Sequence, residues 1–99
     1  MTTETTIAGT ILNQLGGRRF VAMTSAHSIL NLGNGLQVKF KGSKRANTVR
    51  IELDGNDLYT VRFYKMKGLD CPMVEEYTMV HAESLQTVFT RATGLHTSL

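Results

Sequence analysis

The chain has no tryptophan, one proline and one cysteine. A lone thiol, Cys71, cannot close an internal disulfide, which fits a reducing compartment. No apolar run approaches the roughly 18 residues that a membrane span needs. The opening MTTETTIAGT lacks both the basic n-region and the apolar h-region of a secretory signal. The expectation is a protein that neither spans a membrane nor is exported.

Motifs that carry chemistry are equally scarce. Gly42-Ser43-Lys44-Arg45 lacks the spacing of a nucleotide-binding P-loop and reads as a hairpin tip. Gly16-Gly17-Arg18-Arg19 follows a helical pattern instead of opening one, so the nearby dipole end is negative and favours the arginines themselves over a phosphate. His27, His81, His96 and Cys71 show none of the close pairings of zinc sites. Ser25 and Ser28 flank His27 without a nucleophile elbow. Glu75 and Glu76 are neighbours on a strand and so point to opposite faces, which rules them out as an acid/base pair. Cys71 stands before Pro72 in a loop, and nothing in the sequence brings His27 or His81 to it as a base. We therefore expect no enzyme, no catalytic residue, no metal ligand and no cofactor.

What is present is the make-up of one globular domain spanning residues 1–99, with 41% hydrophobic and 19% charged residues. The net charge of +3 hides a segregation. Residues 18–67 hold ten of the eleven basic side chains against Glu52, Asp54 and Asp57, whereas the remainder holds Arg91 against Glu4, Asp70, Glu75, Glu76 and Glu83. Such a division predicts one basic and one acidic surface.

Ile7, Ile11 and Leu15 share one helical face, with Thr5 or Thr6 as a cap and Gly16-Gly17 as a stop, which predicts a helix over roughly 6–15. Arg18 to Ser25 is short and mixed and reads as a strand. His27 to Leu32 is another, followed by the turn Gly33-Asn34-Gly35. Leu36 to Lys41 alternates at period two, with Leu36, Val38 and Phe40 on one face, and residues 42–47 form a basic loop. Thr48 to Leu53 alternates equally, with Val49, Ile51 and Leu53 inward. Residues 54–57 turn the chain into a long strand, Leu58 to Lys67, with Tyr59, Val61 and Phe63 on the buried parity. A loop over 68–72 leads to a strand from Met73 to Val80. Leu85, Val88, Phe89 and Ala92 then form the stripe of a helix over 82–93, with Gly94 past its end and Leu95 packing back. The predicted fold is α+β: an antiparallel meander of five or six strands with an N-terminal and a C-terminal helix packed on one face.

The same parity gives the opposite face Lys39, Lys41, Thr48, Arg50, Glu52, Thr60, Arg62 and Tyr64. Sheets that hold single-stranded nucleic acid use cations along the phosphates and aromatics under the bases. Lys39, Lys41, Arg50, Arg62 and Tyr64, joined by the loop residues Lys44 and Arg45, are thus the candidate nucleic-acid-binding set. The ordinary alternative is a charged, solvated sheet face, and Glu52 favours it.

The segments Ile11-Leu12-Asn13-Gln14-Leu15-Gly16-Gly17-Arg18-Arg19-Phe20 and Ala22-Met23-Thr24 resemble a group of small, uncharacterised proteins of tailed phages and prophages. The resemblance runs on through Asn47 to Leu53, Asp57 to Phe63, Ala82 to Leu85, Val88 to Thr90 and Thr93 to Leu99, and is weakest over 26–46. It implies a phage origin, and with it the cytoplasm of a host cell, but no chemistry. Three kinds of partner remain in view. The first is single-stranded DNA or RNA on the basic face. The second is a host protein, engaged through the acidic residues Asp70, Glu75, Glu76 and Glu83 by a modulator such as a counter-defence inhibitor. The third is another copy of the chain, or a partner strand, at an uncovered sheet edge. A minor virion component is a further role consistent with the resemblance.

Overall fold

The computed structural model describes residues 7–54 and 58–95. The Thr5 and Thr6 caps, residues 55–57 of the expected turn, and residues 96–99 lie outside them.

Five strands form one sheet: β1 (His27–Asn31), β2 (Gly35–Lys39), β3 (Thr48–Leu53), β4 (Tyr59–Tyr64) and β5 (Met73–Val80). Their order follows the chain and every pairing is antiparallel, an open meander. Three helices accompany it: α1 (Ile7–Leu15), α2 (Arg18–Thr24) and α3 (Leu85–Thr93), the last entered through a 3-10 turn, Ala82–Ser84.

Period-two alternation in β2, β3 and β4 sends Leu36, Val38, Val49, Ile51, Tyr59, Val61 and Phe63 to one face, where all are buried. Ile11 and Leu15 of α1, Phe20 of α2, and Leu85, Phe89 and Ala92 of α3 join them in a single cluster. Phe89 is its hub. Its ring centroid lies 5.1 Å from Phe20, 5.0 Å from Phe40 and 6.1 Å from Phe63, and the first two contacts are edge-on. Both expected helices therefore cover the same face. At the end of α3, Gly94 N–H donates to the Thr90 carbonyl at 2.8 Å, and Leu95 packs against the core.

Two expectations are corrected. Arg18 to Ser25 is not a strand but the helix α2. Gly16 and Gly17 take φ of 124° and 57°, left-handed values that a residue with a Cβ rarely adopts, and so reverse the chain within two residues. Beyond them Phe20 and Thr24, four apart, are the buried pair, and Thr24 Oγ1 donates to the Phe20 carbonyl at 2.7 Å. Seven residues are too few to hold a helix alone, so burial of Phe20 against Phe89 stabilises it. The second correction is that β4 stops at Tyr64 instead of running to Lys67. Past that point the side chain of Asn47 captures the backbone of Met66. Its Nδ2 donates to the Met66 carbonyl, and its Oδ1 accepts from the Met66 N–H, both at 2.9 Å.

Gly35 permits the closest approach in the sheet. A Cβ there would sit 2.2 Å from the Ile51 carbonyl oxygen, a backbone atom with little room to yield. Both edge strands break register, β1 between His27 and Leu30 and β5 near both of its ends. Bulges of this kind twist an edge away from further strand pairing.

Candidate nucleic-acid interface

The uncovered face is ordered by strand register. One row across it reads Leu30, Gln37, Arg50, Arg62, Glu76; the next reads His27, Lys39, Thr48, Tyr64, Met73. In the first row the arginines meet carboxylates. Arg62 Nη1 lies 2.7 Å from Glu52 Oε1, and Arg62 Nε lies 2.7 Å from Glu76 Oε2. Arg50 Nε faces Glu52 Oε1 at 3.7 Å, an ion pair too long for a hydrogen bond. The hydrogen bond to Glu76, aided by the charges of Glu76 and Glu52, raises the Arg62 pKa above its ordinary value against the opposing cost of burial. Two cations and two anions thus leave the centre of this face without net charge.

The lysines behave differently. None of the ion pairs among the described residues involves a lysine. Lys39 ends β2 in the row with His27 and Thr48, and Lys41 follows after Phe40, its backbone N–H tied to the Thr24 carbonyl at 2.9 Å. Both line a cleft of about 490 Å³ together with His27, Thr48, Met66 and Gly68. His27 Nδ1 is 3.1 Å from the Ser25 carbonyl. A carbonyl only accepts, so Nδ1 carries the proton and Nε2 is the nitrogen left for a ligand.

Two loops build this end of the sheet. Over 40–47, Ser43 Oγ donates to the Thr93 carbonyl at 2.9 Å and accepts from the Arg45 N–H at 3.1 Å, which moors the loop to the end of α3. Arg45 leans the same way, with its Nη1 3.4 Å from the Arg91 carbonyl. Over 65–70, the Asn47 bracket and a tight turn in which Lys67 and Asp70 exchange backbone hydrogen bonds at 2.9 Å hold the chain. Lys65 Nζ donates to the Lys44 carbonyl and joins the two loops. Lys39, Lys41, Lys44, Lys65 and Lys67 therefore stand at one end of the sheet with Arg45.

Of the expected set, the structure groups Lys39, Lys41, Lys44 and Arg45 at this end and ties Arg50 and Arg62 into the neutral ladder. Tyr64 is half-buried in the Lys39 row, two strands from it and about 10 Å away at the usual strand spacing. The sequence pattern did not single out His27, Asn47, Met66, Lys65 and Lys67 for this site. Lys65 and Lys67 fall on the buried parity of a strand read through to 67, so alternation points them inward, and only the break at Tyr64 releases them.

The adjacent acids Glu75 and Glu76 do not share a face. Glu76 pairs across to Arg62, while Glu75 pairs across to Phe63 on the other face and accepts a 2.5 Å hydrogen bond from the Tyr77 hydroxyl. That bond, with burial and the charge of Glu75, raises the Tyr77 pKa above the ordinary phenol value. Among the described residues no group of three or more His, Cys, Asp or Glu is placed to hold a metal ion. Cys71 is exposed. Among the described residues no helix is long and apolar enough to cross a membrane.

No family model matches the chain, and neither the curated proteins nor the solved structures contain a significant match to it.

Proposed function

We propose that this chain is a phage-derived, non-catalytic binding protein that holds single-stranded nucleic acid by its phosphates, using the loop-built basic end of the sheet. One observation carries the reading: Lys39, Lys41, Lys44 and Lys67 gather there without a carboxylate partner among the described residues, while Arg50 and Arg62 are neutralised by Glu52 and Glu76. A cation free of a counter-charge can exchange a condensed counterion for a phosphate. One already paired within the fold must first lose its partner.

Binding of a fluorescently labelled single strand at several salt concentrations tests this. About four phosphate contacts give a log–log salt slope of roughly −3, at about −0.7 each. Lys41→Ala shallows the slope by about 0.7, whereas Arg62→Ala leaves it unchanged. Tyr64→Ala weakens binding without altering the slope, because stacking releases no ions. Absence of binding by the wild type at about 50 mM salt, where screening is weak, would refute the proposal.

A second reading rests on β5. Leu69, Met73, Val74 and Met79 are large apolar side chains exposed along that edge and the loop before it. Such a ridge suits a host protein or a second copy of the chain. If it is a contact surface, Met73→Ser with Met79→Ser removes self-association in sedimentation, or binding of a purified host partner, and leaves the salt slope for nucleic acid intact.

A further inference from the structure

The cleft at the basic end has a size and lining that a phosphate-tracking surface does not require. Its volume of about 490 Å³ falls in the range of roughly 300–1,000 Å³ typical of small-molecule sites, far above what a bare ion fills. From the β1–β2 end come His27, Lys39 and Lys41; from the segment after β4 come Met66 and Gly68; Thr48, fully buried, lies between them in the strand order. Gly42 and Ser43 also line it, which brings backbone amides of the 40–47 loop beside the lysines. Loop amides beside ammonium groups are the components from which anion-binding concavities are built. Lysine is a compact point charge and not a bidentate fork, which matches the single charge of a phosphodiester. Met66 adds a polarisable thioether of the sort that packs against aromatic rings. His27 Nε2, with Nδ1–H already committed to the Ser25 carbonyl, is the ring nitrogen left to meet a polar group of the ligand.

We propose that this cleft takes one nucleotide unit, its phosphate held by Lys39, Lys41 and the loop N–H groups and its base lying against Met66. The proposal rests on the reading of the basic end as a nucleic-acid surface, and it narrows that surface to a socket for a single residue of the strand. A free nucleoside monophosphate and a nucleotide within a strand present the same base, sugar and phosphate oxygens to it, the free form with additional negative charge.

The test is a nuclear magnetic resonance titration of the full-length protein with a 5′-nucleoside monophosphate, with inorganic phosphate, and with a short single-stranded oligonucleotide. The expected result is saturable shifts at the amides of Gly42, Ser43 and Gly68, with the nucleotide binding about tenfold tighter than phosphate, a gap on the scale of one good contact. Lys41→Ala weakens the nucleotide about tenfold, the scale of one charge-assisted hydrogen bond. Arg19→Ala, exposed on α2 and outside the cleft lining, leaves nucleotide affinity within about twofold of the wild type, as independent sites do. Equal affinity for phosphate and nucleotide, shifts centred elsewhere, or no saturable shift would overturn the cleft. If the strand binds with its salt slope while the mononucleotide is silent, the socket is refuted and the surface stands. If the mononucleotide saturates the cleft while the strand fails to bind at low salt, the surface reading falls and the cleft is upheld as a site for the free nucleotide.

Discussion

The two faces of the sheet are made by alternate residues of the same strands, yet they are held by different forces. On the helix-covered face, Val38, Val49 and Phe63 pair in one row and Leu36, Ile51 and Val61 in the next, all beneath Phe89 and its neighbours. On the outer face, Gln37, Arg50, Arg62 and Glu76 make the corresponding row. The covered rows exclude water and gain burial and dispersion, which are large when summed. The outer row holds partly exposed ion pairs, each worth about 0–1 kcal/mol. Stability is thus concentrated on one face, and the other is free to vary in charge. The cations without a carboxylate partner lie on neither face in full, but where the sheet ends and loops take over.

The largest blow to this contrast falls on the hub. Phe89→Ala should cost about 3–5 kcal/mol in a urea melt, because the space left touches Phe20, Phe40 and Phe63 and cannot close over all three. A loss no greater than that of an outer-face variant would break the comparison. Next comes Gly35→Ala, which forces a Cβ against the Ile51 carbonyl. It should cost about 1–3 kcal/mol by the same melt, as overpacked sites do, because Gly35 is a buried residue at the start of β2.

On the outer face, Arg62→Met should change stability by less than about 1 kcal/mol, since the pairs it breaks are partly solvated. A larger loss would mean that the ladder is structural. The smallest effect sharpens the boundary between the faces. Tyr77 lies at the edge of the core, and its raised pKa means that the neutral phenol is favoured in the fold. Its contribution is present below the unfolded value of about 10 and is lost as pH climbs through the higher folded value. An ultraviolet titration of the wild type minus Tyr77→Phe should therefore show one phenol ionising above pH 10. A midpoint at or below the ordinary value would place Tyr77 outside the influence of Glu75.

Much of this architecture was legible in the sequence. Alternation set the faces of Leu36 to Phe40, Thr48 to Leu53 and Tyr59 to Phe63, and helical spacing set Ile11, Leu15, Leu85 and Phe89, because both periods are properties of the local backbone. The meander followed from short turns between successive strands. The misreading of Arg18 to Ser25 has a local cause: seven residues between a Gly-Gly turn and a strand show less than two full helical periods, so the spacing of Phe20 and Thr24 carries little weight until Phe89 arrives from the far end of the chain.

The site divides along the same line. Sequence alone determined that the cations are concentrated over 18–67, and which of them alternate outward along the strands. Only the tertiary structure decided which cations are free. Glu76 reaches Arg62 from fourteen residues away through the pairing of β4 with β5, and Asn47 ends β4 by gripping Met66 nineteen residues on. Counter-charge and strand termination here depend on contacts between distant segments, and no local period records them. The same sequence count of basic residues therefore yields a neutral ladder in one place and an unpaired basic cleft in another.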